Sequence, residues 1–303
     1  MRPIPSFTEL YKDRHSPVIS LEFFPPKREE DLEHTKALIR RLAALKPDFM
    51  TVTYGAGGGT RRLTRSLVSF IVNELEIPAA AHLTCIDHSK EQINEILTGL
   101  AAEGIRHIVA LRGDPAPGTG SFTPHPDGFS CARDLTAHLR ARGGFSIAVA
   151  GYPEKHPEAI SRSADIAYLK EKVTSGAEIV ISQLFFEGHL YADFLADSRE
   201  EGIAAPLVPG IMPISNVAQI ERFTKVCGAS LPAALQEALE DIRDDREAVI
   251  AYGTSYAIKL CREIIGMGAP GIHLYTLNRA EQVEQVVAAV RRFAPPNRQP
   301  ALI

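Results

Sequence analysis

Short apolar, β-branched runs alternate along this chain with longer stretches in which apolar residues return every three to four positions, the pattern of a parallel sheet with crossover helices. Eight such runs can be counted: Val18 to Phe24, Phe49 to Tyr54, Ala79 to Ile86, His107 to Arg112, Phe145 to Tyr152, Glu178 to Phe185, Pro206 to Ile211 and Gly271 to Leu277. The first is apolar on both faces, as a parallel strand covered on both sides must be. Between the runs, Leu63, Leu67, Phe70, Ile71 and Leu75 form one helical stripe. Ser89 and Gln92 have capping-box spacing, Ile93, Ile96, Leu97 and Leu100 supply the buried face behind them, and Gly104 permits a left-handed stop. A further helix closes with Val173 and Gly176 just before the sixth run. Eight strands leave about 38 residues per βα unit, the spacing of an eightfold barrel. No repeat, low-complexity tract or linker divides the chain, so the expected fold is α/β, a single (β/α)8 TIM barrel over residues 1–303.

In such barrels the chemistry gathers at the carboxyl ends of the strands, so polar residues that end apolar runs are the informative ones. Glu22 interrupts the first run, Thr53 ends the second, His82 and Asp87 bracket the third, and Arg112 and Asp114 end the fourth. Tyr152, Gln183 and the Tyr275 to Arg279 segment complete a ring. Glu22 is the sharpest case: among apolar and aromatic neighbours, loss of water should raise its pKa and let it hold a proton near neutrality, as a general acid must. The plainer reading is a buried ion pair with a lysine or arginine. Asp114 opens a Pro- and Gly-rich segment to Gly128, long for a βα loop, although aspartate also nucleates turns without further purpose. Arg112-Gly113-Asp114 matches an adhesion tripeptide, but at the end of a buried strand that match is discarded. Gly55-Ala56-Gly57-Gly58-Gly59 lacks the last glycine of a dinucleotide fingerprint and no Walker lysine follows, so it reads as turn geometry that would let a flat ligand approach the backbone. By pattern alone, His156 is a loop histidine, Asp165 and Lys172 a solvated helix face, and Phe223 a core residue beside Val217, Ile220 and Val226.

Composition narrows the picture by exclusion. With 45% hydrophobic and 23% charged residues the chain is an ordinary globular sequence, and a formal charge of -4 with no basic stripe argues against a nucleic-acid partner. Cys85, Cys131, Cys227 and Cys261 form no CxxC pair and read as reduced thiols. No cluster has metal-ligand spacing and no nucleophile elbow occurs, so neither a metal nor a covalent nucleophile is expected. The start has no apolar signal region and no run approaches membrane-span length, which points to a cytoplasmic protein with no membrane partner.

These residues also spell a series of motifs, in order from Ser20 almost to the carboxyl end. They are Leu21-Glu22-Phe23-Phe24-Pro25-Pro26, Val52-Thr53-Tyr54-Gly55-Ala56, His82-Leu83-Thr84-Cys85 and Ala110-Leu111-Arg112-Gly113-Asp114. Gly151-Tyr152-Pro153, His156-Pro157-Glu158-Ala159, Ser182-Gln183-Leu184-Phe185-Phe186, Pro209-Gly210-Ile211 and Tyr275-Thr276-Leu277-Asn278-Arg279 follow. In this the chain resembles the methylenetetrahydrofolate reductases, their catalytic barrel only, with no regulatory domain expected. The resemblance implies a flavoprotein of one-carbon metabolism, serving methionine biosynthesis. FAD would be reduced by NADH or NADPH, NADH being favoured, and would pass hydride through flavin N5 to 5,10-methylenetetrahydrofolate in a ping-pong reaction. It assigns Glu22 as the general acid and Asp114 as the acidic residue near flavin and pterin. Thr53, Gln183, Gln219, Phe223 and Arg279 fall on the substrate and nicotinamide side. For FAD it implies Tyr54, Ala56, His82, Arg112, Gly113, Asp114, Ala132, Tyr152, His156, Asp165 and Lys172, with Arg112 and Lys172 facing the pyrophosphate and Asp165 the ribose. Two positions depart from the family pattern. Cys131 stands where relatives commonly carry a tyrosine beside the adenine, and Thr60-Arg61-Arg62 lacks the acidic residues of some bacterial relatives. Two other readings remain at this point, a flavin-free folate oxidoreductase and a non-catalytic folate-binding protein. A closed homo-oligomer, dimer or tetramer, is expected.

Overall fold

A computed structural model describes residues 4–12, 14–54, 61–114 and 122–293. Ala56, the rest of the Gly55 to Gly59 run and Thr60 lie outside the described residues, as does the Pro- and Gly-rich stretch at 115–121. Helix α1 (Phe7–Tyr11) precedes β1 (Val18–Phe23), and α2 (Leu32–Ala43), entered through a short 3-10 turn at Glu29–Asp31, leads to β2 (Phe49–Val52). The alternation continues with α3 (Arg61–Asn73), β3 (Ala79–Thr84), α4 (Lys90–Ala102), β4 (His107–Leu111), α5 (Ala132–Arg142) and β5 (Ser146–Gly151). Then come α6 (Arg162–Thr174), β6 (Ile179–Leu184), α7 (Gly188–Glu200) and β7 (Leu207–Ile211). Three helices, α8 (Val217–Cys227), α9 (Ala233–Asp241) and α10 (Arg246–Gly266), separate β7 from β8 (Gly271–Tyr275), and α11 (Ala280–Arg292) follows.

Every predicted strand is present, and the parallel ladder closes β8 onto β1 to give the (β/α)8 barrel. Most strands stop one or two residues short of the predicted polar end, because the chain there turns out of the ladder. Asp87, Leu277 and Asn278, all non-glycine, take positive φ of 60°, 48° and 55° at these exits. Gly113 does so with φ 90° at the end of β4, and a Cβ there would sit 2.5 Å from Ile86 Cγ2, so both backbone and space demand glycine.

The predicted helix signals hold locally. Ser89 Oγ accepts from Gln92 N, the Gln92 side chain accepts from Ser89 N, and Gly104 has φ 78°. Leu63, Leu67, Phe70 and Ile71 are buried on α3, whereas Leu75 lies beyond its end and packs on the core from there. Apolar side chains pointing outward from the strands, such as Leu21, Phe23, Val52 and Leu83, meet these helices in one continuous layer. Inward-pointing Val18, Phe49, Val109, Ile179 and Val208 fill the lower barrel, where Phe7, Leu10 and Tyr11 of α1 close the floor. A third cluster, around Phe186, Met212, Ile214 and Leu235, ties α8 to α10 onto the rim above β6 and β7.

Candidate active site

The barrel register sets the site. Glu22 pairs with Thr51 on one side and Tyr275 on the other, and Ser20 one step below pairs with Phe49 and His273. Residues two apart share a face, so Ser20 and Glu22 both point inward at successive heights. Glu22 is 5% exposed, and its Oε2 is approached from three neighbouring strands. His273 Nε2 lies 3.1 Å away, His82 Nε2 3.2 Å, and Thr51 Oγ1 donates at 3.3 Å. The His82 N–H is close enough for charge attraction but misaligned for a hydrogen bond, and Nε2 is a buried atom without such a partner among the described residues. Oε1 has no hydrogen-bond partner among the described residues.

Burial pushes the Glu22 pKa up, as expected for a carboxyl among apolar neighbours, but the charge of His82 and the hydrogen bond from His273 outweigh it and bring the carboxyl down to about 2. The sequence expectation of a raised pKa is therefore corrected. It considered desolvation without the two imidazoles, one of which, His273, sits in mid-strand and was overlooked. The partners that face the buried carboxyl are histidines rather than the lysine or arginine of the plainer reading.

The backbone around Glu22 is fixed from the β8 side. Thr276 donates both its N–H and its hydroxyl to the Glu22 carbonyl, at 3.2 and 2.6 Å, and the Asn278 amide makes two bonds to the backbone of Phe24. Tyr275 lies over Gly210, its hydroxyl donating to the Ser182 carbonyl at 2.7 Å. Gln183 is half-buried and its Oε1 accepts from Leu184 N. Thr53, Gln219 and Arg279 are half-buried at the ends of β2, on α8 and at the start of α11. Phe223 is also half-buried, packed on the third cluster with the Arg222 guanidinium 5.5 Å from its ring centre.

A second group of residues lies on the β4 to β6 side of the mouth. Arg112 is half-buried, paired with Glu158 and stacked 4.8 Å from the Phe122 ring centre. Asp114 is exposed, but its charge is felt by Arg112, Tyr152 and Cys227, which places it on the same rim. Tyr152 and His156 make an edge-to-face pair at 4.7 Å, and Asp165 accepts from His156 N at 2.8 Å. Lys172 is not part of a solvated face. It is 5% exposed and donates to the Ala150 carbonyl, and burial lowers its pKa to about 8 although Asp165 pushes the other way. Ala132 is buried at the first turn of α5, and the N-cap Cys131 lies against the Tyr168 hydroxyl. Just beyond β2, the Tyr54 hydroxyl is 3.2 Å from His88 Nε2, while His88 Nδ1 bonds the Ile86 carbonyl. An N–H at Nδ1 leaves Nε2 as the acceptor, so Tyr54 is the donor.

This second group fits a phosphate-bearing cofactor. A buried lysine whose only hydrogen-bond partner among the described residues is a carbonyl, with the Arg112 guanidinium also within charge range of His156, presents cationic charge that an anion would satisfy. His88, Ser20 and His273 were missed by reading strand ends alone. For Ser20 and His273 the signal was a polar residue at an inward strand position beside another inward polar residue, whereas His88 lies in the loop between β3 and α4. Among the described residues no group of three or more His, Cys, Asp or Glu is arranged to hold a metal ion, and no helix is long and apolar enough to cross a membrane.

The family model described as methylenetetrahydrofolate reductase matches residues 8–291. A probable methylenetetrahydrofolate reductase (NADH) of Oryza sativa subsp. japonica is 43% identical over 272 residues, covering 86% of this chain and 46% of that protein. The chain thus spans about half the length of the plant relatives it matches. The 5,10-methylenetetrahydrofolate reductase of Escherichia coli (strain K12) is 40% identical over 263 residues, 87% of each chain. Among solved structures, an uncharacterized protein from Clostridium thermocellum that binds two copies of 5-methyl-5,6,7,8-tetrahydrofolic acid aligns with a TM-score of 0.64 at 17% identity, over 92% of this chain and 95% of that one. At that identity the likeness speaks for the barrel alone.

Proposed function

We propose that this chain, which belongs to the methylenetetrahydrofolate reductase family, reduces 5,10-methylenetetrahydrofolate to 5-methyltetrahydrofolate with electrons from NADH or NADPH carried by bound FAD. When bound, FAD supplies the two-electron chemistry, taking hydride from the nicotinamide and passing it to the one-carbon unit. The observation that carries the reading is a single carboxyl, Glu22, clamped through Oε2 in the barrel mouth with Oε1 left without a described partner. Lys172 and Arg112 would hold the pyrophosphate of FAD, Asp165 its ribose hydroxyls, and Tyr54, His82, Gly113, Ala132, Tyr152 and His156 would shape the remaining surface.

On the folate side, Glu22 gives a proton to the departing ring nitrogen, opening the five-membered ring to an iminium cation. In the open site the balance of forces on its pKa favours the ionised form, so this role needs the substrate to shift it. Burial already pushes toward the protonated form, and a substrate that seals the mouth adds to that push, against the opposing pull of the imidazoles. Asp114, on the same rim, sets a negative charge near the iminium. Gln183 keeps its amide nitrogen free of described partners and can bond nicotinamide and folate in turn, while Thr53, Gln219, Phe223 and Arg279 line the substrate side. The NADH named in the rice relative supports that nucleotide as the donor. The same reading places the enzyme in the cytoplasm as a homo-oligomer.

Protein mixed with FAD should be yellow, bleach on anaerobic addition of NADH, and regain colour when methylenetetrahydrofolate follows. Protein that retains no flavin, or that bleaches without folate-dependent recovery, overturns the proposal.

A further inference from the structure

His273 is fully buried in mid-strand, yet both ring nitrogens have partners. Nε2 faces Glu22 Oε2 at 3.1 Å, and Nδ1 lies 2.8 Å from Ser20 Oγ, which also reaches the Ile272 carbonyl at 3.3 Å. A serine hydroxyl has one hydrogen to give. When that hydrogen points to Ile272, Ser20 accepts from Nδ1–H; beside an ionised Glu22, Nε2 must then carry a hydrogen as well, and the ring holds both protons. When it turns to Nδ1, the ring is neutral. Beside an ionised Glu22, Nε2 keeps its hydrogen in both states and donates to Oε2, and no heavy atom has to move.

From this we propose that His273 is a positioning residue that ties up Oε2 of Glu22: when Ser20 donates to Nδ1 it holds the ring as the Nε2–H tautomer, so that the proton Glu22 donates is carried on Oε1. The inference rests on the reading of Glu22 as the acid for folate. It gives that acid two properties. The proton sits on one defined oxygen, on the side away from the clamp, and Ser20 lets the ring gain or lose its own charge without releasing the carboxyl. A ring kept at this angle needs support, and Phe49 stacks beneath it at 6.4 Å while Tyr275 meets it edge-on at 5.3 Å. The other titratable groups facing the pair are His82 of β3 and Tyr275 of β8, and burial pushes the Tyr275 hydroxyl far toward its neutral form. His82 is thus the second imidazole that lowers the Glu22 pKa. It too approaches Oε2, but misaligned and so without the directional hold of His273.

The test compares His273→Gln, which keeps a neutral donor in reach of Oε2, with His273→Leu, which removes it. Difference infrared spectra of the flavin-free protein, with Glu22→Gln identifying the band, follow the Glu22 carboxyl directly. Both variants should titrate Glu22 at higher pH than the native protein, since the influence of His273 that lowers its pKa is gone or weakened. In the loaded enzyme, His273→Leu should slow folate-dependent reoxidation on the order of 10²-fold, the effect of a misplaced reacting group, while His273→Gln recovers most of the rate with its pH profile displaced upward. An unchanged Glu22 titration in both variants, or equal rates for Gln and Leu, overturns the assignment. If native protein fails to reoxidise with folate at all, the function proposal falls, and the infrared titration still decides whether His273 controls Glu22.

Discussion

Both ends of this barrel bury histidine, and they treat it in opposite ways. At the floor, His107 is 1% exposed, packed edge-on against Phe7 at 4.7 Å, with Nε2 donating to the Pro5 carbonyl and Nδ1 left without a partner. Burial is the largest influence on its pKa, which falls below the usual histidine value, and the ring is neutral. At the mouth, His273 is as deeply buried but bonded to a carboxyl that is held ionised, its pKa brought down to about 2. The surrounding side chains follow the same division: Phe7, Tyr11, Phe49 and Val18 below, Glu22, His82, Thr51 and Gln183 above. Apolar burial makes the floor a plug that contributes to stability, and the same barrel wall makes the mouth a place where one proton has a controlled position. A partner carboxylate, rather than depth, separates the two.

The largest expected effect breaks the mouth. Glu22→Gln preserves shape and some hydrogen bonding but cannot donate a proton, so folate-dependent reoxidation should fall about 10²- to 10⁴-fold, the range for loss of a general acid. Bleaching by NADH should fall far less, because no proton from Glu22 enters that half. Stopped-flow absorbance separates the two, and an equal loss in both would remove Glu22 from the role of acid.

The next effect belongs to the floor. Phe7 is fully buried between Phe49 at 5.2 Å and His107, and its backbone N–H is held by Ser146 Oγ at 2.8 Å. Glu178 clamps the same short helix by accepting from Thr8 N, Thr8 Oγ1 and Ser146 Oγ. Phe7→Ala should cost about 3–5 kcal/mol of stability, as for other buried phenylalanines, read from the denaturant midpoint. Well below the melting range kcat and KM should be unchanged, since Phe49 separates Phe7 from His273. A variant that kept its stability and lost activity would erase the division of labour between the two ends.

Much of this was legible in the sequence, for reasons that differ by element. The eight strands could be read because parallel strands covered on both faces are short and continuously apolar, and helix signals such as the Ser89 box are local. Glu22 and His82 stood out as polar residues near strand ends. Ser20 and His273 did not, because each sits inside an apolar run, and only the closure of β8 on β1 brings them together at one height. The pKa direction of Glu22 was beyond local reasoning for the same cause: desolvation can be guessed from neighbours in sequence, but the opposing imidazoles come from strands about 60 and 250 residues away. Lys172 reads as solvated by helical period, yet the barrel tucks it beneath the mouth. The three-helix excursion from α8 to α10 is likewise hidden in a stretch that pattern alone treats as one crossover.

The smallest effect concerns pH and tests whether the floor histidine is neutral by burial. His107 has a folded pKa below its unfolded value of about 6.5. Above that value both states carry a neutral ring and His107 adds no pH dependence. As pH falls through 6.5 toward the folded pKa, the unfolded chain takes up a proton that the folded chain refuses, so stability declines with acid, and the decline ends once the folded ring also protonates. Glu178 and the Pro5 carbonyl pull the other way and reduce the size of this term without reversing it. His138 and His156 are also lowered by burial and act in the same window, so the difference between proteins carries the result rather than the raw curve. His107→Gln offers a neutral amide to the Pro5 carbonyl and cannot titrate. Denaturant midpoints measured from about pH 7.5 down to about pH 5 should therefore fall less in the variant than in the native protein. An equal or steeper decline in the variant would mean that the floor histidine already carries its proton, and that the two ends of the barrel do not differ in the way argued above.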